Sequence, residues 1–439
     1  MRTRREFLKV CTSIAAASQL QAAPTSNFKA LVCVFLFGGN DGNNMVIPLD
    51  PASYGQYSAG RGNVALPAAS LLPINGQGKA YGLHPRLAPL QQIYNTNKNM
   101  ALMANVGTLI KPVTQKDLQS GQAQLPRNLY SHSDQTSQWQ TSIPQSTSGT
   151  GWAGRAADVL RFAYPSSFTP GISLAGNSLL LTGQFTTPTQ LGQGGDFGLA
   201  TIGDGTDDLA RQTALQQILT FDTGMKLIGA MSSILGAGLK NAAEIQRVLA
   251  NAPAMKTVFP NTGLGNQLKQ AAQLLSVRNA LGMQRQIFFC SQGGFDNHSD
   301  LVASQDRLLD ELGPALAAFY QATSVDLGIA DQVTTFTESE FGRTFNPSST
   351  AGSDHAWGSH HLVLGGAVNG GQLYGKFPTL VAKGPDDAGD RGQWIPSTGL
   401  DQYAATMATW FGVQPGDLPT VFPNINNFAT RDVGFMKAG

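Results

Sequence analysis

A chain of 439 residues with a formal charge of +1 has no basic excess from which to build a nucleic-acid surface. Charged residues make up only 13% of it, while glycine reaches 50 residues, a balance that suits an extracytoplasmic globular protein with long surface loops.

The N-terminus reads as an address. Arg4 and Arg5, followed by Phe7, Leu8 and Lys9, have the form of a twin-arginine export signal. A short apolar stretch, Val10 to Leu20, and Gln21-Ala-Ala-Pro24 complete a basic n-region, an h-region and a small-residue cleavage site after Ala22 or Ala23. The stretch is too short to span a bilayer, which takes roughly 20 apolar residues, and no later run is long enough to anchor the mature chain. Residues 1–22 carry four basic side chains and one acidic one, so their removal turns +1 into −2. About 415 residues then form one large domain by expectation, since no linker or composition break divides them.

Lys29 to Phe37 is continuously apolar, the mark of a strand buried on both faces, and ends in the tight loop Gly38-Gly-Asn-Asp-Gly42. A loop-rich stretch to Leu83 follows, then a helix over 86–97 and a second buried strand over 100–106. Gly151 to Phe162 is helical. Residues 207–282 form a helix-rich block without His or Cys, read as an insertion or a covering layer. Gln286 to Cys290 is a third buried strand, running into Gly293-Gly-Phe-Asp-Asn-His298. A helix over 301–323 precedes a fourth strand over 332–337, a short strand occupies 362–364, and a C-terminal helix spans 401–411. Strands alternating with helices predict an α/β fold with helices on both faces of the sheet. Cys33 and Cys290 each sit inside a strand and are expected to be buried, unpaired thiols.

The chemistry gathers after the strands. Asp41 follows the first, Asp296 and His298 the third, and Glu340 the fourth, while Asp354, His355, His360 and His361 precede the short strand. In parallel sheets ligands bind beyond the C-terminal edge. Mixed Asp/Glu/His sets suit Zn²⁺ or Mn²⁺, in one-ion or two-ion sites. His361 reads equally as the start of its strand, and His84 as a structural hydrogen-bonding residue. Arg343 is either an anion binder or the salt-bridge partner of Glu338 or Glu340. Ser131 and Ser133, beside His132, are either helix N-caps or nucleophile candidates.

Taken together, Phe37-Gly-Gly-Asn-Asp-Gly42, Gly82-Leu-His-Pro85, Ser131-His132, Gly151-Trp-Ala-Gly-Arg155, Phe295-Asp-Asn-His298, Ser339-Glu-Phe-Gly-Arg343 and Ser353-Asp-His-Ala-Trp-Gly358 resemble the DUF1501 family of exported bacterial proteins. The resemblance implies an alkaline phosphatase/sulfatase-like fold, a mostly parallel sheet between helical layers. It also implies metal ligation by Asp41, Asp296, His298, Glu340, Asp354, His355 or His360, and Ser131 near the nucleophile position. His132 and Arg343 would assist catalysis. Glu340 stands where that superfamily usually shows an Asp-His pair, and the formylglycine sulfatase pattern is absent. The expectation is a metal-dependent hydrolase of a phosphate or sulfate ester, small-molecule or polysaccharide. A non-catalytic secreted binding or assembly module is the alternative.

Overall fold

The computed structural model describes residues 27–437 apart from 77, 167, 193–204 and 222–223; the segment expected as an export signal lies outside the described residues. Its strands are β1 (Lys29–Leu36), β2 (Val46–Pro48), β3 (Leu72–Gly76), β4 (Lys79–Leu83), β5 (Met100–Gly107), β6 (Gly171–Ser173), β7 (Thr189–Gln190), β8 (Arg285–Gln292), β9 (Val333–Glu338), β10 (Ser359–Leu364), β11 (Gln372–Tyr374) and β12 (Thr398–Gly399). Nine form one sheet in the order β11-β5-β10-β9-β1-β8-β6-β7, with β12 also on β5.

Within this sheet β10 alone runs against its neighbours; every other pairing is parallel. That reversal matters for function. It brings the segment before β10 to the same edge as the exits of β1, β8 and β9.

The main helices are α1 (Pro51–Arg61), α2 (His132–Thr141), α3 (Trp152–Leu160), α4 (Thr206–Thr220), α5 (Lys226–Leu249), α6 (Gly263–Ser276), α7 (Leu301–Gln321) and α8 (Leu400–Phe411). Side chains alternate across a strand, and β1 shows the result. Ala30, Val32 and Val34 pack with Leu268 and Leu275 of α6 and Leu309 and Leu316 of α7. Leu31, Cys33 and Phe35 pack with Trp152 and Ala156 of α3 and Tyr403 and Phe411 of α8. Both faces are therefore dry, which is why this strand reads as an unbroken apolar run. Cys33 and Cys290 belong to opposite faces and stay free, as expected.

Two expectations change. The helix-rich block is not one unit: α6 covers the sheet with Leu264, Leu268, Ala271 and Leu275 buried, whereas α5 buries only Ala242, Ile245 and Val248. The stretch read as loops before Leu83 contains α1 and a three-stranded antiparallel sheet, β2-β4-β3. No helix among the described residues is long and apolar enough to cross a membrane.

Candidate metal centre

The β1 exit turns at Gly38 and Gly39, with φ of 116° and 85°. This is backbone that only glycine adopts without strain. A side chain on Gly38 would collide with the backbone nitrogen of Asp296, so this close approach of the β1 and β8 exits requires glycine. Glu340 and Arg343, from the β9 exit, clamp the turn. Glu340 Oε1 accepts from Gly38 N at 2.7 Å, and the Arg343 guanidinium donates to the carbonyls of Gly38, Gly39 and Ser353. Its remaining contact is an ion pair with Asp296.

Around Asp296 stand three imidazoles. His132 Nε2 lies 3.5 Å from Asp296 Oδ2, and His298 Nε2 and His355 Nε2 lie 3.0 and 3.3 Å from Oδ1. His298 Nε2 and His355 Nε2 are 3.1 Å apart. The other ring nitrogens fix the tautomers. His355 Nδ1 faces the Tyr130 carbonyl at 2.9 Å, an oxygen that can only accept, so Nδ1 carries the hydrogen. His132 Nδ1 donates to Glu340 Oε1 at 3.0 Å, and His298 Nδ1 to Asp354 Oδ1 at 3.2 Å. In the neutral rings all three Nε2 atoms are therefore bare lone pairs aimed at a carboxylate.

Lone pairs packed together repel unless a cation sits among them. Donors bound to one ion at about 2.0–2.1 Å in a tetrahedron lie roughly 3.4 Å from one another. His132, Asp296 and His355 offer ligand atoms all within 4.8 Å of each other, and His298 joins at the distances above. The oxygen behind each Nδ1 is the arrangement that orients metal-bound histidines and raises their basicity. The residues present thus suit a divalent ion at His132, Asp296 and His355, with His298 close to the last two.

The charges agree. Burial raises the Asp296 carboxyl, but the hydrogen bond and charge of Arg343, aided by His298 and His132, outweigh burial and hold it below its usual range. Burial, the largest effect on His355, lowers that imidazole and favours the neutral form an ion requires. Asp354 is likewise held low: burial opposes this, but the paired Arg391 prevails.

Other expected residues lie elsewhere. Asp41 is 2% exposed and already engaged. It caps the turn Gly42–Met45, accepting from Asn43 N and Asn43 Nδ2 at 3.1 Å, and forms a buried ion pair with Arg61 at the end of α1. The structure therefore corrects its reading as the first ligand. His360 does not precede β10 but lies within it, where Nδ1 accepts from Asn105 N–H at 3.0 Å and the ring stacks on Phe377. Burial lowers its imidazole to about 3. His361 is buried against Trp139 and Tyr403, and Nδ1 of His84 accepts from Arg86 N at 3.2 Å.

Arg343 is 1% exposed and spends its donors on the chain, so it positions Asp296 and does not meet an incoming anion. It pairs with neither Glu338 nor Glu340. Ser131 is the N-cap of α2; its Oγ accepts from Asp134 N at 3.4 Å and donates to Asp134 Oδ2 at 2.8 Å. His132, expected as a catalytic group, stands in the same cluster as Asp296 and His355.

Sequence reasoning missed Arg61, Arg391 and the carbonyl of Tyr130. Tyr130 has φ 76°, costly for a bulky residue and held by a 2.7 Å bond from its N–H to Gln135 Oε1. Gly389-Asp-Arg-Gly392 had the polar loop composition that could have flagged Arg391.

Residues 28–388 match a family described as protein of unknown function, DUF1501. The chain belongs to this family. DUF1501 membership agrees with the resemblance read from the motifs, and a comparison with curated proteins gave no match. Among solved structures, the chain is similar to the lipoteichoic acid synthase LtaP from Listeria monocytogenes at 9% identity, covering 95% of this chain and 81% of that one with a TM-score of 0.35. It is similar to the PsFucS1 sulfatase from Pseudoalteromonas sp. at 10% identity, covering 94% and 72% with a TM-score of 0.34. The phosphonate monoester hydrolase of Agrobacterium radiobacter matches at 9% identity, covering 90% and 77% with a TM-score of 0.33.

Proposed function

We propose that this chain is an exported, metal-dependent hydrolase of a phosphate or sulfate ester, its Zn²⁺ or Mn²⁺ held by His132, Asp296, His298 and His355. The observation that carries the reading is the convergence of three Nε2 lone pairs on one carboxylate, each ring held from behind by an oxygen. A bound ion there would supply Lewis-acid polarisation of the ester oxygens.

The chain's own residues do the rest. Asp296, Glu340 and Asp354 stand with Arg343 and Arg391, which leaves the centre with one negative charge in excess. A divalent ion reverses that sign, so an anionic ester is attracted only by the loaded protein. Glu340 keeps His132 in one tautomer while also fixing the β1 exit. Ser131, next to the ligand His132, is the candidate nucleophile, and Asp134 is in place to accept its proton. The twin-arginine signal, with its cleavage after Ala22 or Ala23, would deliver the folded protein outside the cytoplasm, where the ester would be a small molecule or a polysaccharide.

A second reading, a non-catalytic binding or assembly module, is favoured by one observation: Asp41 is neutralised by Arg61 rather than left open for an ion. Elemental analysis of the purified mature protein separates the two. The hydrolase reading expects about one Zn or Mn per chain and turnover of an aryl phosphate or aryl sulfate that chelator abolishes. Metal-free protein that neither takes up Zn²⁺ nor Mn²⁺ would sink it.

A further inference from the structure

At the opposite edge of the sheet, where β6 and β8 begin, lies a second cavity of about 320 Å³. The length of β8, about 25 Å at 3.3 Å per residue, separates it from the metal centre. Its walls include two guanidiniums, Arg161 and Arg285, three rings, Tyr164, Phe168 and Phe185, and four hydroxyl residues, among them Ser166 and Thr186. No carboxylate among the described residues lines it.

Among the described residues neither arginine has an ion-pair partner, nor does Lys29, which lies beside Arg285 in the sheet. The nearest acid, Asp158, is turned away: its oxygens accept the backbone N–H groups of Gln184, Phe185 and Thr186. Arg285 is only 6% exposed and is held by the carbonyls of Phe411, Asn27 and Gln284, so it adds a fixed positive charge to the cavity wall. An anion entering the cavity meets that charge and the free donors of Arg161.

The geometry adds selectivity. The Arg285 guanidinium lies 3.6 Å over the Tyr164 ring, and that of Arg161 lies 4.2 Å from the centres of both Phe162 and Phe185. Arg285 donates to the carbonyls of Phe411, Asn27 and Gln284, so the fork falls to Arg161, whose plane the two phenyl rings hold while most of its N–H edge stays free to meet an oxyanion. Arg161 gives only one hydrogen bond inside the protein, to the Asp158 carbonyl. Phe185 is 66% exposed, a flat apolar face left open to solvent beside hydroxyl donors and acceptors. An apolar face, a fork and hydroxyls together match a sugar ring bearing an acidic group, and 320 Å³ admits such a ring.

We infer that the Arg161–Arg285 cavity is a binding subsite for an anionic sugar residue, a uronate or a sugar sulfate, separate from the metal centre. It does not depend on hydrolysis: a non-catalytic relative would use it equally.

Calorimetric or NMR titration of the mature protein with glucuronate, galactose 6-sulfate, glucose, benzoate and sodium sulfate tests it. The two acidic sugars are expected to bind saturably, with glucose roughly tenfold weaker or more, the loss of about one charge-assisted contact. Benzoate or sulfate binding as tightly as the acidic sugars would show a bare anion site and overturn the sugar assignment. Arg161→Gln and Phe185→Ala change exposed side chains, so both variants should fold, and each should lose about tenfold in affinity. His355→Ala should bind the acidic sugars unchanged while losing metal, which keeps this result independent of the hydrolase reading. Unaltered binding in both cavity variants, or none in the parent, refutes the subsite.

Discussion

At the scale of single residues, the proposed metal centre is a problem of keeping imidazole lone pairs pointed inward. Glu340 does most for His132: one carboxylate oxygen accepts both the His132 ring hydrogen and the Gly38 amide. Glu340→Ala is therefore expected to weaken Zn²⁺ affinity roughly 10- to 100-fold, the usual cost of losing the group behind a ligand histidine. Glu340→Gln, whose side-chain carbonyl still accepts, should lose less. Competitive titration with a zinc dye measures both, and equal affinities for the parent and Glu340→Ala would count against His132 as a ligand. Much at this scale was legible in sequence. Asp296, His298 and His355 stood in polar segments beside strands, where no packing role explained them. The tautomers were not legible, because they are set by a carbonyl at Tyr130 and carboxylates at Glu340 and Asp354, partners separated by 56 to 225 positions.

At the scale of elements, the decisive feature is the direction of β10. A short apolar run gives no sign of which way it lies, and a strand over 362–364 left His360 outside as a late ligand. The strand begins at Ser359 and runs antiparallel, so His355 stays in the loop at the active edge while His360 is drawn into the sheet. The small sheet β2-β4-β3 was missed because its strands are 3 to 5 residues long and contain Pro, Gly and Asn. Arg61 belongs to the same region, and its role exists only in three dimensions. It closes α1 by pairing with Asp41, bonding Asn44, and donating to the carbonyls of Thr344 and Phe345 across the β9 exit. Arg61→Met should strand a buried carboxylate and cost about 3–5 kcal/mol in denaturant unfolding. Pairing it with Asp41→Asn should recover much of that loss. Zinc bound per folded molecule should not change in either variant; a drop would return Asp41 to the ligand set.

At the scale of the whole molecule, stability depends on a buried acid far from the metal residues. Asp401 opens α8 and accepts a 2.9 Å bond from Ser142 Oγ at the end of α2, with Arg155 of α3 as the nearby cation. Its other oxygen has no partner. Burial is the largest influence and pushes the carboxyl up to about 7, despite Ser142 and Arg155, which act to lower it. The folded chain then keeps a proton that the unfolded chain releases near pH 4. Stability from this group is complete at and below about pH 4, falls as pH rises, and is lost above about pH 7. Asp401→Asn cannot ionise, so it should match the parent at pH 4 and exceed it by on the order of 2–4 kcal/mol at pH 8. Thermal melts of both proteins in chelator, which removes the separate pH dependence of metal binding, give the comparison directly. A difference in melting temperature that stays constant from pH 4 to 8 would show that Asp401 is ionised throughout, and that Arg155 neutralises it more fully than their separation into α8 and α3 implies.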